Sequence, residues 1–443
     1  MGNVQGGRKK DTSYRKTFVL RQQTPMIHFQ YADRGAIIRA SEFKPKLDKF
    51  LVKKKGGENH MPGSWLLEQT DENKPAALNY KVRIWTAGKP EVSQMTEYTK
   101  ELNNWEKLHH GTKNNLKDKK ADLRKKYPKA QINGMYFGNM GNDTTTYKET
   151  IFYTEDIYVE IQCFVTGLLA YISDNMAEFM LVTNFGTRQS KGFGSFALMD
   201  DTIDPCNILS YNHYEYIYGI VKDDKKGVNH GDKMLNVAAD VYAVMKGGIN
   251  RRYDGRYIKG YIQRRYMDKC GKEKTGSDKA FMKSKIITVQ DSETKEKKND
   301  NCESYSEFEY VRALLGITDR IVFRDNLRKG TVRIKNKDIE RFGSAIQITV
   351  WGNYIFLIMK DEEYIKNILD KEFTFSYMDN SKKIIKGRIK TPALSDENNF
   401  LEELVKPFLE GFVEYYNEEL EKHSNLKFED AAKVELKMGG SGL

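Results

Sequence analysis

The sequence predicts an α+β protein made of two ferredoxin-like (RRM-like) domains, with helical and basic insertions. Short segments alternate apolar and polar residues with period two, as half-buried strands do. Longer segments carry an apolar stripe at helical spacing. In the first half these segments follow the order β-α-β-β-α-β, and the second half can be interpreted in the same way. With 443 residues and 39% apolar content, the chain is long enough for both domains.

The N-terminal domain is predicted to span residues 15–205. Its first strand is expected over residues 24–30, after a short apolar segment at 18–20. A strand or bulge over 35–39 then leads into a helix over 41–51, with Ser41 near its N-cap. The later elements are strands over 78–85, 150–153 and 157–165, an amphipathic helix over 167–180 and a strand over 193–199.

A helical insertion at about 90–146 interrupts this domain. Residues 95–132 are polar and helical in pattern, and the run 117–126 is densely charged. Such a run is either a solvated helix face or a contact for nucleic acid, and the sequence leaves both open.

The C-terminal domain is predicted to span residues 206–443, with a basic insertion at about 250–310. Within the insertion, polar residues 291–307 predict a mobile loop. Gly352 and Asn353 predict a two-residue hairpin. The expected elements are strands over 214–221, 331–334, 346–351, 354–359 and 373–377, helices over 233–245 and 362–369, and a long final helix over 398–423.

Composition limits the kinds of partner and compartment. A net charge of +11 and a pI of about 9.0 favour a polyanionic partner, and 26 Tyr and 22 Phe offer surfaces on which bases stack. The four cysteines form no CxxC pair, which is typical of free thiols in a reducing compartment and predicts no zinc site. There is no apolar segment long enough for a membrane helix and no secretory signal, so we expect a cytoplasmic protein without a membrane partner.

A glycine-rich loop at residues 185–196 is the strongest candidate for a binding site. It contains three glycines and two cations between an apolar helix and an apolar strand. Glycines allow close approach of backbone N–H groups to a ligand, and cations suit a phosphate chain. The glycine spacing does not fit a Walker loop, and a dinucleotide fingerprint would have to open a helix. The loop therefore predicts binding of RNA backbone, and no cofactor is expected.

Catalytic motifs are weak. His28 in the first predicted strand could act as a general acid or base in RNA cleavage, and Asp33 could assist a metal. A lone histidine in an apolar strand is more often structural, and no second candidate stands beside it. Neither HExxH nor GxSxG occurs, and the adjacent His109 and His110 diverge too far to share a metal. The sequence favours a protein without catalytic or metal-binding residues.

A basic segment over residues 250–286 is a second candidate for RNA contact. Its arginines could pair with phosphates while interleaved tyrosines stack on unpaired bases. The alternative is a solvated basic helix whose tyrosines are core. The arginines concerned are Arg251, Arg252, Arg256, Arg264 and Arg265.

Residues 186–195, with the order Gly-Thr-Arg-Gln-Ser-Lys-Gly-Phe-Gly-Ser, resemble the glycine-rich loop of the RAMP superfamily of CRISPR-Cas proteins. Thr24-Pro25 resembles the "TP" first strand of many members, and residues 35–46 resemble the segment that leads into their first helix. Residues 341–348 are similar to an "RF-x-S" element of one branch, the first RAMP subunit of the type III-B (Cmr) effector complex. That branch usually has an arginine- and tryptophan-rich helix start, where this chain has Arg39, Lys44 and Lys46.

The resemblance implies a non-catalytic RNA-binding subunit in an antiviral ribonucleoprotein. It would contact guide RNA near its 3′ end and help capture target RNA, beside other RAMP subunits and the large polymerase-like subunit. By position, the RNA-binding residues would be Arg39, Lys44, Lys46, Gly186, Arg188, Gln189, Ser190, Lys191, Gly192, Phe193 and Gly194.

Three alternatives remain open from the sequence. One is a metal-independent endoribonuclease of the same superfamily that processes guide precursors with His28. Another is a different type III backbone subunit. The third is a protein scaffold whose basic surface screens acidic neighbours.

Overall fold

The structure is a computed structural model that describes residues 11–27, 37–68, 76–92, 95–108, 113–127, 150–221, 230–251, 256–263, 276–287, 302–324, 329–378, 384–394, 401–422 and 434–439. The first half contains β1 (Arg15–Gln22), α1 (Ala40–Lys54), β2 (Lys81–Thr86), β3 (Glu91–Val92), α2 (Met95–Leu108), α3 (Lys113–Lys126), β4 (Ile151–Phe152), β5 (Ile157–Gln162), α4 (Leu168–Val182) and β6 (Phe196–Leu198). The second half begins with α5 (Pro205–Tyr211), β7 (Tyr216–Ile220), α6 (His230–Lys246), β8 (Gly248–Arg251), β9 (Arg256–Lys259), β10 (Gly276–Ser277), α7 (Asp278–Phe281), β11 (Glu303–Glu309) and β12 (Arg320–Arg324). It continues with β13 (Lys329–Lys335), β14 (Ile346–Trp351), β15 (Tyr354–Met359), α8 (Glu362–Lys366), β16 (Glu372–Met378), β17 (Ile384–Lys390), α9 (Lys406–Lys422) and β18 (Leu436–Met438).

The first sheet is antiparallel and has the strand order β2-β5-β1-β6. With α1 after the first strand and α4 after the third, this is the ferredoxin-like topology. Both helices bury apolar stripes, and the Phe43 ring of α1 meets the Phe179 ring of α4 edge to face, with centroids 5.4 Å apart. The prediction for this half is confirmed.

The second half repeats the same topology. Its four-stranded sheet has the order β14-β15-β7-β18, in which β7, β14, β15 and β18 are the first to fourth strands. The helices α6 and α9 follow the first and third strands and pack into the same core. The predicted α+β class with two ferredoxin-like units is therefore confirmed, and the domain boundary near residue 205 remains a prediction.

An additional sheet of six strands, in the order β10-β11-β17-β16-β13-β12, is inserted into this second unit. The sequence predicted strands at 331–334 and 373–377 but assigned them to the ferredoxin-like unit. Both belong to the inserted sheet instead, as β13 and β16, which pair with each other. Local periodicity identifies a strand but not its partner, because partners are chosen by long-range packing.

The predicted first strand was wrong in its position. The strand is β1, which begins at Arg15 and ends before Thr24-Pro25. Its start is polar in sequence, and Arg15 there lies 3.9 Å from the buried carboxylate of Glu160 on β5. Because an ion pair between strands places charged residues in the strand, a prediction based on apolar residues does not detect it. Of the expected strand or bulge at 35–39, the described residues 37–39 form no strand, and residues 35 and 36 lie outside the described residues.

Three further expectations needed correction. The N-cap of α1 is Arg39 and not Ser41. Part of the predicted mobile loop, from Glu303 on, is strand β11, which pairs in parallel with β17. The long helix does not end the fold, because β18 follows it and supplies the fourth strand through β7.

Two helices, α2 and α3, lie within the insertion predicted at about 90–146. Tyr98 of α2 and Leu123 of α3 form a small apolar cluster of their own, with Leu102 and Tyr127 against it. The insertion is thus stabilised locally and does not extend the main core.

Candidate nucleic-acid interface

The glycine-rich loop is held by the Thr24-Pro25 segment that follows β1. The Thr24 hydroxyl donates to the Gly192 carbonyl at 2.5 Å and accepts from the Ser195 N–H at 3.0 Å. The Gly194 N–H donates to the Pro25 carbonyl at 3.0 Å, and the Thr187 N–H donates to the Ile27 carbonyl at 2.7 Å. Two of the motifs on which the resemblance rests, the loop and Thr24-Pro25, therefore form one hydrogen-bonded unit.

At two positions of the loop, the backbone conformation and the neighbouring atoms leave room only for glycine. Gly186 has φ +80, and a Cβ atom there would lie 2.4 Å from the Ile27 carbonyl oxygen. Gly194 has φ +68, and its Cβ atom would lie 2.0 Å from the Phe185 carbonyl oxygen. Both positions combine a left-handed backbone with close approach of another chain segment, which only glycine tolerates. The sequence analysis attributed these glycines to a ligand, whereas the structure uses them for packing.

The loop also joins the two ferredoxin-like units. Lys191 forms a parallel bridge with Ile348 of β14, and the Ile348 N–H donates to the Ser190 carbonyl at 3.3 Å. The buried Asn184 amide donates to the carbonyls of Ile348 and Gln189, at 2.7 Å each, and its oxygen accepts from the Ser195 hydroxyl at 2.9 Å. A buried amide with several satisfied bonds fixes a unique geometry. We call this contact between residues 184–195 and β14 the loop interface.

Helix α1 contributes a charged pair to the loop. Glu42 accepts from the Gly186 N–H at 2.8 Å and from Lys46, whose ammonium also donates to the Asn184 carbonyl at 2.8 Å. Lys46 lies 4.8 Å from the Phe185 ring centroid. Its pKa is lowered by burial, an effect opposed by Glu42. Lys46, one of the cations predicted to bind RNA, therefore lies at the glycine-rich loop.

Lys44 is directed elsewhere. It donates to Asp48 at 2.6 Å and to the Leu78 carbonyl at 2.9 Å, and it lies 4.4 Å from the Tyr80 ring centroid. These contacts are at the start of β2. Arg39 is the N-cap residue of α1 and is half-buried.

Phe193 differs in burial from the loop residues that precede it. Phe193 is fully buried in a cluster with Ile27, Leu235 and Ala239, so its ring serves packing. Arg188, Gln189, Ser190 and Lys191 are half-buried. The N–H groups of residues 186, 187, 191, 192, 194 and 195 all donate to acceptors of the protein itself. Those groups are therefore engaged within the protein, and the side chains of residues 188–191 are the part of the loop that can meet a ligand.

The sequence analysis missed two residues of α6 that lie beside the loop, Tyr242 and Lys246. The Lys191 and Lys246 ammonium groups lie 5.4 and 5.9 Å from the centroid of the same Tyr242 ring. Lys246 donates to the carbonyls of Leu315 and Gly316 at 2.8 and 3.0 Å. These residues sit in an ordinary amphipathic helix pattern, so no local signal distinguished them from a solvated helix face.

Burial, reinforced by neighbouring cations, lowers the pKa values of two lysines here. The pKa of Lys246 falls to about 7, first through burial and then through the charges of Lys191 and Arg312, which Asp278 partly offsets. The pKa of Lys191 falls to about 8 through burial and the charge of Arg188. An anion close to these two ammonium groups would stabilise their charged forms.

We expect the free energy of unfolding to rise with pH between about 7 and 10.5. Because the folded-state pKa of Lys246 is about 7 and its ordinary value is 10.5, the unfolded chain binds more protons throughout this window. Lys246→Met should flatten the rise, which urea unfolding at several pH values would measure. Equal slopes for the variant and the wild-type chain would contradict the assignment.

The structure describes only part of the basic segment. Arg251 and Arg256 face each other in the register of the β8-β9 hairpin, so their backbones are brought together. Arg252, Arg264 and Arg265 lie outside the described residues, as do His28 and Asp33. The prediction of RNA contact by these arginines remains a prediction.

A cleft of about 540 Å³ lies between the two ferredoxin-like units, on the side of α1 and α4. Two of its lysines form ion pairs: Lys53 contacts Asp361 at 2.6 Å, and Lys54 contacts Glu178 and also Asn212. The pKa of Lys360 in its wall is lowered to about 8 by burial. The described contacts of Lys53 and Lys54 tie α1 to neighbouring segments of both units.

The described ranges contain neither a membrane-spanning helix nor a cluster of metal-binding side chains. No helix there is long and apolar enough to cross a membrane. No group of three or more His, Cys, Asp or Glu residues in those ranges could hold a metal ion.

Comparison with known proteins identifies the family. The Cmr1 N-terminal domain model matches residues 13–249, and the Cmr1 C-terminal domain model matches residues 257–434. No curated protein matches the chain. The crystal structure of apo Cmr1 from Pyrococcus furiosus is similar to it, with 7% identity, a TM-score of 0.37, and coverage of 79% of this chain and 88% of that chain. The resemblance to the RAMP superfamily is confirmed, and the first domain model alone spans more than half of the chain. The protein belongs to the Cmr1 family and is a RAMP subunit of the type III-B CRISPR (Cmr) effector complex.

Proposed function

We propose that this Cmr subunit binds RNA through the loop interface, contacting guide RNA near its 3′ end and helping to capture target RNA in antiviral defence. The observation that supports this most directly is the pair Arg188 and Lys191, presented by a loop that is anchored on both sides. Lys191 rests against an aromatic ring, and in the described part of the chain no carboxylate lies within salt-bridge distance of it. A phosphate would supply the missing counter-charge.

The rigidity of the loop supports the same proposal. Hydrogen bonds from Thr24, Glu42 and Asn184 fix the backbone before any ligand arrives. A preorganised site loses less conformational entropy on binding than a flexible one does. The fixed loop would therefore hold an RNA backbone in one register relative to both ferredoxin-like units.

We also propose that the subunit is not catalytic and acts in the cytoplasm beside other RAMP subunits and the polymerase-like subunit. The support for the first point is the sequence, in which His28 has no second acid–base candidate next to it. Incubation of the purified chain with repeat RNA in EDTA should give no specific cleavage. Cleavage that His28→Ala abolishes would establish the endoribonuclease alternative instead.

Replacing both loop cations, Arg188→Glu with Lys191→Glu, should weaken the binding of single-stranded repeat RNA. Because each phosphate contact on a single strand contributes about −0.7 to the slope of log affinity against log salt, loss of two contacts should flatten the slope by about 1.4. Fluorescence anisotropy at several salt concentrations measures both quantities.

The matched control reverses two exposed cations that lie away from the loop interface, Lys49→Glu with Lys437→Glu. It changes net charge by the same amount and should leave the salt slope near the wild-type value. Thermal melting checks that both variants are folded. Equal affinity and slope in the loop variant and the control would show that the loop is purely structural.

A further inference from the structure

The inserted six-stranded sheet has one covered face and one open face. On its covered face, Val332, Phe373, Phe375 and Ile389 are buried in the core of the second half. Side chains of a strand alternate between the two faces, so the residues between these point outward. The outward positions of β13, β16 and β17 are exposed or half-buried.

The register aligns these outward residues in rows across the three strands. Arg333 of β13 pairs with Ser376 of β16, which pairs with Lys386 of β17. One row further along, Lys335 pairs with Thr374, which pairs with Arg388. In both rows a small hydroxyl residue on the middle strand separates two cations.

This arrangement is a trough with a hydroxyl floor and cationic sides. Strands lie about 4.8 Å apart, so the strands that bear the two sides are about 10 Å apart. We call it the cationic trough; its residues are Arg333, Lys335, Thr374, Ser376, Lys386 and Arg388.

Three of the four cations of the trough have no carboxylate partner in the described part of the chain. Arg388 contacts Glu372 at 3.0 Å, at one end of the trough. Among the residues that the structure describes, no carboxylate lies within salt-bridge distance of Arg333, Lys335 or Lys386. Like charges gathered on a sheet without counter-charges repel one another and are stabilised by a bound polyanion.

We propose that the cationic trough is a second RNA-binding surface, which holds the phosphodiester backbone of single-stranded RNA independently of the loop interface. Cations on both sides of the trough would contact phosphate oxygens, and the Ser376 and Thr374 hydroxyls would donate to the same backbone. Because Ser376 and Thr374 have small side chains, they leave room for an RNA backbone to lie along β16. The next row ends the trough with the exposed side chains of Met378 and Ile384.

Charge complementarity favours RNA over an acidic protein as the occupant. The exposed apolar side chains lie beyond the cations at one end, not between them. A protein interface has its apolar residues at the centre and its charges at the rim, which is the opposite arrangement.

The test uses the full chain and a short fluorescent single-stranded RNA. Arg333→Glu with Lys386→Glu leaves the loop cations intact and should lower affinity at least about tenfold, with a salt slope flatter by about 1.4. Ser376→Leu fills the floor at constant net charge and should also weaken binding. The charge-matched variant Lys49→Glu with Lys437→Glu should bind as the wild-type chain does.

Photo-crosslinking of thiouridine-containing RNA should label residues of β16 and β17 in the wild-type chain and not in the trough variant. Affinity and slope equal to those of the charge-matched control would overturn the proposal. It would also be overturned if RNA affinity were retained while incorporation into the Cmr complex was lost, since the face would then bind protein. Loss of binding in the loop variant alone would support the loop interface and reject the trough.

Discussion

Replacing Gly194 by alanine is expected to lower the free energy of unfolding by about 2–5 kcal/mol. Of this, about 1–2 kcal/mol comes from a left-handed backbone that carries a side chain. Overpacking adds about 1–3 kcal/mol, because the new Cβ atom would lie 2.0 Å from the Phe185 carbonyl oxygen. Denaturant unfolding measures the change, and RNA affinity should fall with it because the loop must shift.

Gly352 is a suitable control for this substitution. It has φ +58 in the hairpin between β14 and β15, and nothing lies within 4 Å of its Cβ position. Gly352→Ala should therefore lower the free energy of unfolding only by the cost of a left-handed backbone with a side chain, about 1–2 kcal/mol. If the two alanine variants were equally stable, close approach at Gly194 would not be the reason for its glycine.

Replacing Arg312 by leucine is expected to destabilise the protein by about 3–5 kcal/mol, because it leaves a buried carboxylate without its partner. The Arg312 Nε donates to the Asp278 Oδ2 at 2.6 Å, and the Asp278 side chain is fully buried. The pair joins α7 of the inserted segment to the turn at 311–314. Lys246 donates to the carbonyl of Leu315 just beyond that turn, so the change should also disturb the cations behind the loop.

Two further variants separate burial of the charge from loss of the pair. Removing both partners, Asp278→Leu with Arg312→Leu, should recover part of the stability, since no lone charge remains. Lys366→Ala breaks an exposed pair with Glu362 and should cost about 0.3–0.5 kcal/mol. A double variant as unstable as Arg312→Leu would indicate that packing, not charge, is responsible for the loss.

Elements with strong local periodicity could be predicted from the sequence. The apolar stripe of α4 and the apolar segments of β14 and β15 on either side of Gly352-Asn353 are local patterns, and these elements were predicted within a few residues. The start of β1 could not be found in the same way. Arg15 and Thr17 are polar there, and Glu160 lies across from Thr17 on β5, 143 residues away in sequence.

The glycine-rich loop, too, could be predicted from the sequence only in part. Its glycines and cations identified the segment, and the resemblance connected it with Thr24-Pro25. The reason for Gly186 and Gly194 was misjudged, because the atoms that exclude a side chain there belong to Ile27 and Phe185. Tyr242 and Lys246 were missed because only folding brings α6 beside Lys191.

By itself the sequence determined the α+β class, the β-α-β-β-α-β order of the first half, the basic character and the RAMP motifs, because these are properties of composition and of short-range pattern. The tertiary structure alone decided how strands are shared between the second ferredoxin-like sheet and the inserted sheet. It also made the glycine-rich loop an interface between two units and aligned Arg333, Ser376 and Lys386 across one open face. These features depend on strand register and on contacts between distant segments, which local sequence does not specify.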